Sequence, residues 1–179
     1  MNVQTSTPTY NIRYNAEEDR LLISIDVPPD REFAMSLTRR LAKHLVGTLA
    51  AAHAKRHEAA TPANPMARDA VLGFEHQAAV GTAVAGGDAR KNTPAKALIA
   101  APRLVRTVKI TPRPDGSAVL VFDEGEKHLT LDLTAQRLHL FMAAILDIAG
   151  TAEWDFPPLA TWLKGSSLAA GQAPPRAIH

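Results

Sequence analysis

Few residues in this chain are of types and spacings that do chemistry. His53 and His57 stand four apart in a stretch with helical leucine spacing, so both imidazoles fall on one helix face, with His44 nine residues before His53. A zinc site of the HExxH kind needs a glutamate directly after its first histidine. Here Ala54 follows His53, and Lys55 and Arg56 oppose a bound cation. The expectation is therefore solvent-exposed histidines at a helix end, near the C-terminal dipole, and no metal ligand. Glu75 and His76 are adjacent on a second predicted helix, where neighbours point about 100° apart. They could work as an acid–base pair only with a third group brought by the fold. Gly86-Gly87 lacks the Gly-Lys-Ser or Gly-Lys-Thr of a phosphate loop, and no serine sits in a GxSxG elbow. Asp123, Glu124 and Glu126 cluster in a turn but miss the calcium-loop spacing. With no cysteine, thiolate ligands, thiol nucleophiles and disulfides are excluded. No catalytic, cofactor-binding or metal-binding set emerges, and the sequence reads as non-enzymatic.

The elements that would carry these residues form a pattern of their own. From Arg103 to Ala149 the chain reads as three short strands and an amphipathic helix. Leu129, Leu131 and Leu133 alternate with His128, Thr130 and Asp132, and a helix bearing Leu138, Phe141, Met142, Ile145 and Leu146 follows and stops at Gly150. An echo runs from Tyr10 to Ala52. Tyr10, Ile12 and Tyr14 mark a first strand, and Leu21, Ile23, Ile25 and Val27 a second. Arg31 to Leu37 is a third, before a helix with Leu41, Leu45, Thr48, Leu49 and Ala52 on one face. In both copies a Leu-Thr pair, Leu37-Thr38 and Leu133-Thr134, stands at the strand–helix junction, where threonine suits an N-cap. The expected class is α+β, an internally duplicated strand-strand-strand-helix unit with an extra helix between the halves. The predicted segments are 1–60 for the first unit, 61–102 for a connecting helix and basic linker, 103–150 for the second unit, and 151–179 for an aromatic segment and tail. Together they predict one pseudo-symmetric body. The connecting helix should start at Asn64 with Pro65 in its first position and show a thin stripe of Met66, Ala70, Phe74 and Ala78. Gly47 weakens the first helix unless it admits another helix closely.

Net charge is +2, but it is unevenly spread. Residues 1–60 carry 8 Lys and Arg against 7 Asp and Glu, residues 61–113 carry 8 against 3, and residues 114–179 carry 4 against 8. A basic middle and an acidic last third attract each other or a partner. Arg90, Lys91, Lys96, Arg103, Arg106, Lys109 and Arg113 form the basic run, a set of candidate phosphate contacts for a single-stranded nucleic acid. Base stacking also needs exposed rings, and only Tyr10 and Tyr14 are expected to be spare on the sheet.

Trp154, Phe156, Leu159 and Trp162 make up the aromatic segment. It either caps the core edge or docks on a partner protein. The start Met1-Asn2-Val3-Gln4 is not that of a signal peptide, and no run of about 18 apolar residues exists, so a soluble cytoplasmic protein is expected. The function expected is a protein–protein interaction or assembly module, self-associating or part of a larger complex. Single-strand binding through the basic run is the alternative. No cofactor is expected.

Overall fold

The computed structural model describes residues 9–27, 31–60, 64–85, 101–156 and 159–163. It is an α+β fold with two small sheets and three helices. Strands β1 (Thr9–Asn15), β2 (Arg20–Val27) and β3 (Arg31–Thr38) form an antiparallel meander, followed by helix α1 (Arg39–Ala60). Helix α2 (Pro65–Ala85) comes next. Then β4 (Arg103–Leu104) adds in parallel to β3, giving the sheet order β1-β2-β3-β4. The second meander is β5 (Thr107–Pro112), β6 (Ala118–Asp123) and β7 (His128–Leu133), and it leads into α3 (Ala135–Thr151). A single 3-10 turn, Thr161–Leu163, closes the described chain.

The repeated order of three strands and a helix is thus present in both halves, and the two junctions are built alike. Thr38 Oγ1 accepts from Leu41 N at 3.3 Å, and Thr134 Oγ1 accepts from Arg137 N at 3.3 Å. Each hydroxyl satisfies a first-turn amide that has no helical partner. The halves are not independent. One apolar cluster runs from Leu21 and Leu45 through Leu120 and Phe141 to Leu163, and α1 touches β5 while α3 touches β1. Helices α1 and α3 therefore each lie on both sheets.

Three expectations are corrected, and one alternative is removed. Arg103 and Leu104 belong to the first sheet rather than the first strand of the second unit. Val105 N donates to Ser36 O at 2.9 Å, and the second sheet starts at Thr107. Gly47 has no neighbour within 4 Å of where a Cβ would stand, so it admits no second helix. The α2 stripe is turned outward, because Leu72, His76 and Val80 occupy the buried side and Met66, Ala70, Phe74 and Ala78 are exposed. Two residues further along a helix is about 200° of rotation, so the two sets lie on opposite faces.

The third correction concerns the end of α3. Gly150 is helical, and the left-handed residue is Glu153, with φ of 54°. Glu153 N donates to Gly150 O and Trp154 N to Ala149 O at 2.8 Å, the paired bonds of a Schellman motif. Trp154 is the apolar residue that follows the left-handed position, and its burial holds the motif in place. Glu153→Gly should therefore stabilise the protein by about 0.5–1 kcal/mol, since glycine carries no Cβ penalty there. Chemical denaturation would show it as a raised midpoint at constant m-value.

Candidate functional site

The side chains with chemical capacity meet where the three helices converge. Along α1, Leu45, Leu49 and His53 recur every four residues, so His53 continues the buried leucine stripe and is 4% exposed. Along α2, His76 lies between the buried Leu72 and Val80 by the same step. On α3, His139 follows Leu138 and is buried with it. The three imidazole rings stack edge-on or tilted around the Trp162 indole, with centroid separations of 4.6 Å for His53–His139 and 5.1 Å for His76–His139. Trp162 stands 5.7 Å from His53 and 5.6 Å from His76. Gly73 lies beside it, and a Cβ there would stand 3.8 Å from the Trp162 Cβ, in ordinary van der Waals contact.

Glu75 closes the cluster on its outer side. Its Oε2 lies 3.0 Å from His57 Nε2, 3.3 Å from His53 Nε2 and 3.5 Å from Arg56 Nη2, so three nitrogens of α1 converge on one oxygen of α2. Arg56 Nη2 is also 2.8 Å from His57 Nε2. That ring nitrogen can accept from Arg56 or donate to Glu75, but not both at once. His53 Nε2 is buried and, despite its distance from Glu75, makes no hydrogen bond. Deeper in, His76 Nδ1 and His139 Nδ1 share a proton across 3.0 Å. Burial is the main cause that lowers all three buried imidazoles, His53 to about 4, His76 to about 4 and His139 to about 3. Arg56 and the neighbouring imidazoles add to the effect on His53, and His53 and His76 add to it on His139. All three are neutral at pH 7.

One ligand atom from each of His53, Glu75 and His139 lies within 4.8 Å of the others, the only such grouping of metal-binding side chains among the described residues. Beside it a cleft of about 300 Å³ opens between α1 and the β5–β6 turn, lined by His53, Lys55, Arg56, Arg113 and the apolar Leu49 and Leu138. The floor of that turn is Gly116, with φ of +85° and the Arg56 guanidinium 3.1 Å from where a Cβ would stand.

The expectation of solvent-exposed helix-end histidines fails for His53, which is core, while His44 is exposed. Glu75 and His76 do diverge as adjacent helical residues must, and each finds its own third group: α1 for Glu75 and His139 for His76. Sequence reasoning passed over His139 altogether. The signal available for it was composition, because five of the seven histidines lie on the three helices.

The aromatic segment is already occupied within the chain. Trp154 and Trp162 are each 5% exposed. The Trp154 indole N–H donates to Asp19 Oδ1 at 2.7 Å, its ring meets Tyr14 edge-on, and the Arg39 guanidinium lies 5.4 Å from it. That indole bond, followed by the Tyr14 hydroxyl bond, holds the Asp19 carboxyl below its usual range. Phe156 and Leu159 pack partly buried on the core, with Lys43 Nζ 5.9 Å from the Phe156 ring. A partner docking on these residues would have to use rings that this fold has already buried.

Of the basic run, Arg90, Lys91 and Lys96 lie outside the described residues. Arg103 pairs with Glu124, and Arg113 pairs with both oxygens of Asp132 at 2.8 Å. Arg106 and Lys109 are exposed on or beside β5. Tyr10 is not spare. Its ring lies edge-on to Phe141 at 5.5 Å, and burial pushes its phenol up to about 12. No helix among the described residues is long and apolar enough to cross a membrane. Comparison with protein-family models, curated proteins and solved structures gave no match.

Proposed function

We propose that the protein is an assembly module that pairs with a second copy of itself through the outer face of α2. The observation that carries this reading is the exposure of Met66 at 84% and Phe74 at 72%, with Val71 beside them. Large apolar side chains left in water along one helix face mark an association surface. The exposed positions between Met66 and Thr82 are Met66, Ala67, Ala70, Val71, Phe74, Gln77, Ala78, Gly81 and Thr82, and none is charged. A like chain therefore meets no charge repulsion there.

The order of sizes favours an antiparallel, two-fold pairing. With Phe74 at the axis the two copies of its ring meet at the centre, while Met66 falls opposite Thr82, Ala67 opposite Gly81, Ala70 opposite Ala78 and Val71 opposite Gln77, so no two large side chains oppose each other away from the axis except Val71 and Gln77. The inner face of the same helix is held by Leu72, His76 and Val80, which keeps the outer face rigid.

Light scattering coupled to size-exclusion chromatography tests this. The expected result is a dimer for the unmodified chain and a monomer for Phe74→Asp, with unchanged circular dichroism, because the substituted side chain is at the surface. A monomeric parent at concentrations of tens of micromolar, or a dimer that survives Phe74→Asp, refutes the reading. Single-strand binding draws on less. Of the four described cations in the basic run, Arg103 and Arg113 are matched by Glu124 and Asp132. Among the described residues the remaining two would by themselves contribute a salt slope of about −1.4.

A further inference from the structure

The geometry points to a second property, independent of self-association: His53, Glu75 and His139 form a site for one divalent transition-metal ion of the zinc class. Two imidazoles and a carboxylate are a ligand set suited to such ions, and three protein ligands leave a coordination position for water. The three ligand atoms already lie within 4.8 Å of one another. Ligands at about 2.1 Å in tetrahedral array stand about 3.4 Å apart, so small side-chain rotations close the set.

The second observation is the polar inventory around these atoms. His53 Nε2 is buried without a hydrogen bond, although Glu75 Oε2 is 3.3 Å away. A lone pair on that nitrogen aimed at a cation resolves the orphan, as no donor or acceptor among the described residues does. His139 is held through Nδ1 by His76, the kind of bond that fixes the ring orientation of a metal-ligating histidine. Trp162 covers the inner side, which keeps the site dry, and the cleft that His53 lines provides the entry path.

Arg56 is the element that opposes a cation. Its guanidinium shares Glu75 with the histidines, and its side chain is about one-third exposed along the cleft. Loading therefore requires Arg56 to release Glu75 and turn to solvent, with His57 free to accept from it. Because the ligands come from α1, α2 and α3, a bound ion cross-links all three helices.

The experiment uses the full chain, stripped with EDTA, dialysed, and titrated with Co²⁺ and then with Zn²⁺. One equivalent of Co²⁺ should give the visible absorption of a low-coordinate cobalt site, displaced by Zn²⁺. In a Trp154→Phe background, quenching of Trp162 fluorescence should follow the same isotherm. Zinc at about a hundredfold over Kd should raise Tm by about 5–10 °C. Glu75→Gln and His139→Gln should each weaken binding by about a hundredfold or more, while His44→Gln with His128→Gln should leave it unchanged. Glu75 is partly exposed, so its variant keeps the test open if the His139 variant fails to fold. Absence of stoichiometric cobalt absorption refutes the site, as does Glu75→Gln binding as tightly as the parent.

Discussion

Phe141→Ala is expected to destabilise the protein by about 3–5 kcal/mol, the loss typical of a large aromatic removed from a core that cannot collapse around the gap. Phe141 is fully buried at the middle of α3. Its ring meets Tyr10 of β1 edge-on, and the Tyr10 hydroxyl donates to Arg137 O at 3.3 Å. The side chain thus joins the helix of the second meander to the first strand of the first, and its removal opens the seam between the halves. Against a total of ~5–15 kcal/mol for a domain of this kind, the variant should be only marginally folded at 37 °C. Urea denaturation followed by circular dichroism measures it. A loss under about 1 kcal/mol would mean that the two halves do not depend on this contact. Phe141→Leu, which keeps most of the volume, should recover the greater part.

The second large effect is acid lability of the metal-free protein. His53, His76 and His139 take up protons in the unfolded chain near pH 6.5, but in the folded protein only near pH 4, 4 and 3. Between those limits the unfolded state binds more protons, so stability must fall as pH falls from about 6.5 towards 4, and be flat above about 7. The groups facing these rings are Glu75, Arg56 and His57. Glu75 favours protonation of His139 and the cation Arg56 disfavours it, yet burial outweighs both. At pH 5 each histidine should forfeit about 2 kcal/mol relative to pH 7.5, or about 6 kcal/mol for the three together. Denaturant melts in EDTA across that range measure the slope. His76→Gln should reduce the slope by about one-third, and stability that stays level from pH 7.5 to 5 would show that the imidazoles are not desolvated in solution.

Local pattern determined a large part of this protein. The alternation of Leu129, Leu131 and Leu133, the leucines of α1 and the apolar face of α3 specify strand and helix by period alone. Pairing within a meander is local, so the hairpin order follows from the turns. Thr38, Asn64 and Thr134 mark helix starts because a cap needs only its own hydroxyl or carboxamide and the next turn's amides. Asn64 Oδ1 indeed accepts from Met66 N at 3.0 Å.

Tertiary structure decided the rest, wherever two options were locally equal. Glu153 adopts the left-handed position at the end of α3 because the buried Trp154 fixes where the helix must turn, and Gly150 was only the better local candidate. The stripe of α2 was ambiguous, since Met66, Ala70, Phe74 and Ala78 and the set Leu72, His76 and Val80 are both spaced by fours. The choice was made by Trp162 packing on the face that carries His76 and by His139 offering His76 a partner. His53 could be placed on a helix from sequence but not in the core. Burying an imidazole is tolerable only when other residues accept it neutral, and its neighbours, Glu75, His139 and Trp162, come from segments 22 or more residues away. The histidine cluster is therefore a product of packing three helices together, and no single stretch of the sequence contains it.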